Sequence, residues 1–162
     1  LHPDWTIPGC VFVGGSLGNG IGYAAGRAIR ERDKRFWVVL GDAELYEGAV
    51  WESLLFISHH NLRNVGLLID RNGLGILGAT EDLIRLEPLA AKFEAFNFDT
   101  VECDGHNFSE LSKALNMCSR PRVVIASTTK GKGVSFMEDK YEYHTVIPQD
   151  PDLIQIGNQD LS

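Results

Sequence analysis

The sequence predicts an α/β fold with a doubly wound, mostly parallel sheet and helices on both faces, on three observations. Short, near-continuous apolar runs of strand length recur at residues 36–40 (FWVVL), 65–69 (VGLLI) and 122–127 (RVVIAS). Stretches with helical spacing or helix-tolerated composition lie between them. Strands that are apolar on both sides of the pleat belong in a sheet covered on both faces, which is the parallel arrangement with crossover helices.

Taken in order, residues 18–32 (GNGIGYAAGRAIRER) read as a helix of small residues ending in charge. Gly18, Gly22 and Gly26 recur every four residues and permit close packing, and Arg27, Arg30 and Arg32 exclude a membrane role for it. After the 36–40 strand, residues 49–61 form a helix with Val50, Leu54 and Ile57 on one face at the 3.6 period. The 65–69 strand follows. Residues 87–97 are a helix with Pro88 in its first turn. Residues 100–102 form a short strand closed by Asp104-Gly105, residues 109–118 a helix, and 122–127 a strand. From about residue 130 an irregular tail is expected. With no repeat or low-complexity segment, the 162 residues read as one domain.

Composition narrows the function class. A net charge of −7 argues against a broad nucleic-acid surface but leaves a local pocket for an anionic ligand open. No apolar stretch reaches the roughly 20 residues of a bilayer span, and LHPDWTIPGC has neither the basic nor the apolar region of a secretory leader. Cys10, Cys103 and Cys118 are odd in number without metal-like spacing, so reduced thiols in a cytoplasmic setting are expected. The chain begins at Leu rather than Met.

Two strand-like runs each stop on an oxygen-bearing side chain: Asp42 follows the first and Asn72 the second. In open parallel sheets ligands bind at the carboxyl ends of strands. If the two strands are neighbours, a carboxylate, an amide oxygen and a nearby backbone carbonyl converge there, a hard-oxygen set suited to Mg²⁺ or Ca²⁺. Gly41, Gly73, Gly75 and Gly78 would let the backbone come close. On spacing alone the alternative stands ahead: Asp42 caps a helix and Asn72 makes a turn.

Longer blocks carry a resemblance. Gly41-Asp42-Ala43 followed by 28 residues and Asn72 is similar to the thiamine diphosphate signature, and GDAELYEGAVWESLLFISHHNLRNVGLLIDRNGLGILG resembles the matching blocks of transketolases. HPDWTIPGCVFVGGSLGNGIGYAAG upstream, and EPLAAKFEAFNFDTVECDGHN and ASTTKGKGVSFMEDKYEYH downstream, resemble the same family, so the likeness covers residues 2 to about 148. It implies that Asp42, Asn72 and the Leu74 carbonyl hold Mg²⁺ or Ca²⁺ on the diphosphate, with Gly41 in the same motif. It implies that Ala43 touches the diphosphate through its backbone and that Ile76 packs on the cofactor rings. Gly15, Ser16 and Leu17 would form the loop touching aminopyrimidine and diphosphate. His144 would reach the diphosphate and reacting centre, His2 the donor hydroxyls, and Glu47 and Glu52 an acidic pair between the cofactor sites of a dimer. His59, His60 and His106 are assigned no chemistry.

Two positions depart from the pattern: Ala43 replaces the motif's last glycine, leaving both metal side chains intact, and Thr145 stands where a glycine follows the histidine. The family's upstream region, about a hundred residues with an active-site Gly-His segment, has no counterpart here. Nor does the pyrimidine-binding domain whose glutamate activates the cofactor. The resemblance therefore implies the diphosphate-binding subunit of a split transketolase. A separate pyrimidine-domain subunit would complete it, two of each, moving a two-carbon ketol unit from a ketose (phosphate) to an aldehyde. Other readings are transfer to an unusual acceptor, such as a carrier-protein thiol or a branched sugar, an oxidative-decarboxylase subunit, and a non-catalytic interaction protein that retains the fold.

Overall fold

The computed structural model describes residues 6–116 and 119–161; His2 and Cys118 lie outside them. Its centre is a four-stranded parallel sheet in the order β1-β2-β6-β5, built from β1 (Phe36–Gly41), β2 (Val65–Arg71), β5 (Asp99–Asp104) and β6 (Arg122–Ser127). Around it run α1 (Asn19–Arg30), α2 (Gly48–His59), α4 (Leu89–Ala95) and α5 (Phe108–Ala114). A two-residue-per-strand hairpin, β3 (Leu74–Gly75) and β4 (Gly78–Ala79), and the single turn α3 (Thr80–Leu83) follow β2.

Alternation along the strands explains the core. Val65, Leu67 and Ile69 of β2 and Val123 and Ile125 of β6 enter one cluster with Ile21, Val50, Leu54, Ile57 and Phe93 of the helices. Burying each such chain contributes about 1.5–3 kcal/mol, against at most about 1 kcal/mol for an exposed ion pair such as Lys132 with Glu138. The apolar pattern therefore decides the fold. Val124 and Ala126 lie outside that cluster and are buried too, so β6 is covered on both sides. β1 is not: Val39 is 68% exposed.

Polar groups set where the elements meet. Asn64 is buried and its amide donates to the carbonyls of Ala28, Glu31 and Lys34 at 3.0–3.1 Å, closing the C-terminal end of α1 just before β2 begins. Gly18, at the N-cap of α1 with φ +81°, donates its amide to Glu44 at 2.7 Å, and a Cβ there would stand 3.0 Å from that of Glu47. Glycine is required by both conformation and closeness, and the contact pins the 15–18 loop to the segment after β1.

The sequence expectations are corrected at several ends. Pro88 is the N-cap of α4 rather than a residue of its first turn, preceded by a cis Glu87–Pro88 peptide bond. α5 is shorter than 109–118, because Asn107 caps it by accepting from the Ser109 and Glu110 amides, and it ends at Ala114. The tail is not irregular throughout: Pro151–Asp160 forms α6, capped by Asp150 accepting from the Asp152 amide. Asp160 of α6 accepts from the amide and hydroxyl of Ser135 at 2.7 Å each, tying the helix to the 131–140 loop.

Candidate cofactor site

β1 and β2 are parallel neighbours with Gly41 opposite Asp70, so the residues just past both strands emerge side by side. Asp42 begins a 3₁₀ turn, Asp42–Tyr46, and is 1% exposed. Its Oδ1 accepts from the Ala43 amide at 2.8 Å, and its Oδ2 accepts from the Gly73 amide at 2.7 Å. Asn72 Oδ1 accepts from the Leu74 amide at 3.0 Å. Asp42 and the 72–74 turn therefore meet above the strand ends, and the Asn72 side chain also stabilises its own turn. Asn72 is thus a turn residue beside the buried carboxylate, and Asp42 is the first residue of its 3₁₀ turn rather than the cap.

Arg71, a residue with no expected role, joins this point to the next loop. Its Nη1 donates to Asp42 Oδ2 at 3.0 Å and to Thr80 Oγ1 at 2.7 Å, and its Nη2 donates to Glu81 at 2.8 Å and Glu87 at 3.0 Å. Thr80 is fully buried, its amide donates to the Gly73 carbonyl at 2.9 Å, and its own carbonyl accepts from the Tyr46 hydroxyl at 2.7 Å. Burial acts to lower the Arg71 pKa, but the bonds to Asp42 and Glu87 outweigh it and hold the guanidinium above its usual range. Desolvation acts to raise the Glu81 carboxyl, and the Leu86 and Glu87 amides with Arg71 bring it below the usual value. Burial pushes the Tyr46 phenol up. The only sequence signal for this network was a cation set between Asp70 and Asn72.

The oxygens present suit a divalent cation. Asp42 Oδ1 and Asn72 Oδ1 each accept one hydrogen bond, and each keeps acceptor capacity for a hard ion. Where a Cβ would stand on Gly41 or Gly73 there is open space, so the backbone there leaves room for a bulky anion. Among the described residues no three His, Cys, Asp or Glu side chains cluster as a metal site. The expected set needs only one carboxylate, an amide and a carbonyl.

The remaining expected residues are distributed around this point. Gly15, Ser16 and Leu17 are exposed, and Ser16 accepts from Asn19 at 2.9 Å beside the Gly18–Glu44 contact. Ile76 and Leu77, 57% and 77% exposed, form the tip of the β3–β4 hairpin next to Leu74. Glu47, the N-cap of α2, and Glu52 are both exposed in this chain rather than buried together. His144 is exposed at the end of the 3₁₀ turn Tyr141–His144, and among the described residues no hydrogen bond links it to Asp42. Cys10 and Cys103 are free thiols. A groove of about 370 Å³ lies between residues 9–16 and β1, lined by Val11, Phe12, Tyr23 and Phe36, and reaches this neighbourhood only at Ser16 and Glu44.

The buried Asp42 and the Asn72-bearing turn lie at adjacent strand ends of a parallel sheet, the place where open sheets of this kind bind ligands. Residues 2–158 match the family described as transketolase, thiamine diphosphate binding domain, and the chain belongs to that family. It is 35% identical, over 99% of its length, to one of the subunits of the apulose-4-phosphate transketolase of Actinobacillus succinogenes, and spans 60% of that protein. It is 34% identical over 82% of its length to the 6-deoxy-6-sulfo-D-fructose transketolase subunit SqwG of a Clostridium species, and spans 51% of that one. The crystal structure of transketolase from Campylobacter jejuni superposes with a TM-score of 0.84 at 27% identity, covering 93% of this chain and 26% of the other. The doubly wound α/β class is thus the one the family uses.

Proposed function

We propose that this chain is the diphosphate-holding subunit of a thiamine diphosphate-dependent transketolase, completed by a pyrimidine-domain subunit in an assembly of two of each. The observation that carries the reading is the buried Asp42 carboxylate meeting the Asn72–Leu74 turn at the ends of β1 and β2, in a chain of this family. Asp42, Asn72 and the Leu74 carbonyl would hold Mg²⁺ or Ca²⁺, and the Ala43 backbone and the 15–17 loop the diphosphate. Ile76 would pack on the cofactor rings. When bound, thiamine diphosphate would supply the carbanion chemistry that acts on a donor carbonyl.

The chain's own residues contribute binding and proton handling. His144, and His2 at the start of the chain, carry imidazoles able to donate to phosphate and hydroxyl oxygens near pH 7. Glu47 and Glu52, exposed on this subunit, would meet a second copy. The named substrates of the two relatives each carry a phosphate or sulfonate, which supports a ketose with an anionic far end as the substrate class. The free thiols Cys10 and Cys103 favour a reducing, cytoplasmic setting.

The test is calorimetry of thiamine diphosphate binding to the full-length protein with its partner subunit, with Mg²⁺ and then with chelator. Binding should need the metal, and Asp42→Ala or Asn72→Ala should weaken it at least 100-fold. Metal-independent binding, or binding unchanged in both variants, overturns the site.

A further inference from the structure

We infer that His106 is a positioning residue: its imidazole latches the loop that leads to His144 onto the carboxyl end of the sheet. The inference rests on the proposed cofactor role of His144 and adds the group that holds it in place. The stretch Asp104-Gly105-His106-Asn107 closes β5 and opens α5. Asp104 Oδ1 accepts from the His106 amide at 2.8 Å and shapes the turn. A Cβ on Gly105 would stand 2.5 Å from the Thr128 side chain and 3.0 Å from the Ser127 carbonyl oxygen, to which the Gly105 amide donates at 2.8 Å. Asn107 caps α5. His106 reaches the facing segment with its side chain: Nε2 accepts from the Thr129 amide at 2.8 Å. An accepting Nε2 belongs to the neutral ring with its proton on Nδ1.

Thr129 opens a loop that is closed on itself. The Lys130 carbonyl accepts from the Asp139 amide at 3.0 Å, and the Val134 carbonyl from the Met137 amide at 2.8 Å. Gly131 has φ +73°, and a Cβ on it would stand 2.6 Å from the Met137 carbonyl oxygen, so the two sides of the loop touch at the backbone. Phe136 packs edge-on against Tyr143 with ring centroids 5.5 Å apart, and Tyr143 immediately precedes His144 in the Tyr141–His144 turn. A displacement of this loop therefore carries His144 with it.

The loop is tied to the sheet end at residues 128 and 129. The Thr128 amide donates to the Arg71 carbonyl at 3.2 Å and the Thr128 hydroxyl donates to Asp70, both on the β2 side. The Thr129 amide donates to His106, on the β5 side. Ser135 also bonds Asp160 of α6, but α6 buries no residue and gives the loop no fixed reference against the sheet. Without His106 the loop is held from the β2 side and is free to swing. His106 is itself exposed, so replacing it leaves the buried core as it is. Its effect is on where the loop sits rather than on whether the sheet forms.

The experiment uses the full-length protein with its partner subunit. Calorimetry at saturating Mg²⁺ measures thiamine diphosphate affinity in a double-mutant cycle of His106→Leu and His144→Ala. Amide exchange read by mass spectrometry follows residues 128–144 without cofactor. His144→Ala should weaken the cofactor about tenfold or more, because it removes a hydrogen bond to a charged group. His106→Leu should weaken it about fivefold in the parent and less than about twofold in His144→Ala, because the two residues act through one contact. Exchange across 128–144 should rise several-fold in His106→Leu while that of β5 and β6 stays as in the parent. His106→Gln places an amide oxygen the same number of bonds from the backbone as Nε2 and should keep parental affinity and exchange. Additive losses in the cycle, or faster exchange in β5 and β6 as well, mean that His106 acts only through the fold and overturn the inference. Unchanged affinity in His106→Leu or in His144→Ala overturns it too. A parent protein that binds no thiamine diphosphate overturns the cofactor reading itself, a failure distinct from additive losses in the variants.

Discussion

Glu31 shows how a few side chains set the end of a helix. It follows α1 at the C-cap, where its carboxylate is hydrogen-bonded by Arg27, one turn back, and by Lys34 at 2.6 Å. The Arg27 bond first, and the Lys34 bond next, hold its carboxyl down to about 2, from an ordinary value of 4.5. Because the folded value lies below the unfolded one, the contribution to stability is complete above pH 4.5 and is lost as the pH falls toward 2. The group is solvent-facing, so the effect is small and salt-sensitive. An NMR titration of the Glu31 side-chain carboxyl carbon should give a midpoint well below 4.5, moving upward in Arg27→Met. A midpoint at the ordinary carboxylate value in the parent would show that the pair does not persist in solution. Asn64, by contrast, is buried, and its three carbonyl contacts place the start of β2 against the end of α1.

At the scale of elements, the parallel sheet places each polar residue by register. Gly66 of β2 is buried opposite Trp37 of β1, and a Cβ on it would stand 2.6 Å from the indole ring. Gly66→Ala must therefore displace the ring or the strand, at a cost of about 1–3 kcal/mol. Urea unfolding should show a lower midpoint with an unchanged slope, together with a shift in tryptophan emission; an unchanged midpoint would mean the ring moves freely. Strand existence was legible because FWVVL, VGLLI and RVVIAS are near-continuous apolar runs of strand length; the order β1-β2-β6-β5 came from the structure. That Asp42 and the 72–74 turn each follow a strand end was legible too, and their convergence follows from the pairing of β1 with β2. The β3–β4 hairpin was not legible, its strands being two residues each. Nor was α6, whose PDLIQIGNQD buries no residue and so lacks a strong apolar period. Arg71 went unassigned because an arginine after a strand looks like a solvated charge until Asp42, Glu81 and Glu87 are seen around it.

At the scale of the whole molecule, the surface is unevenly finished. α2 turns Val50, Leu54 and Ile57 into the core, while Glu52, Leu55 and Phe56, three and four residues apart, share its outer side. Leu55 is 62% exposed and Phe56 42% exposed, with Glu47 exposed at the helix start. A surface helix in a self-contained domain presents charge outward; this one presents a leucine and a phenylalanine around a carboxylate. On the proposed assembly that side of α2 meets a second copy, which buries the apolar pair and brings the two sets of glutamates together. Leu55→Asp would place a charge in that contact and, three residues from Glu52, a like charge beside another. Light scattering of the purified assembly should then show its mass halved. The thermal midpoint of the dissociated protein should change little, because substitutions at exposed positions alter folding stability by about 0.5 kcal/mol or less. If the mass stays whole, α2 is not the contact between copies, and its apolar side faces the pyrimidine-domain subunit or solvent instead. Cross-linking at Leu55→Cys distinguishes those two, since only the first would capture the partner chain.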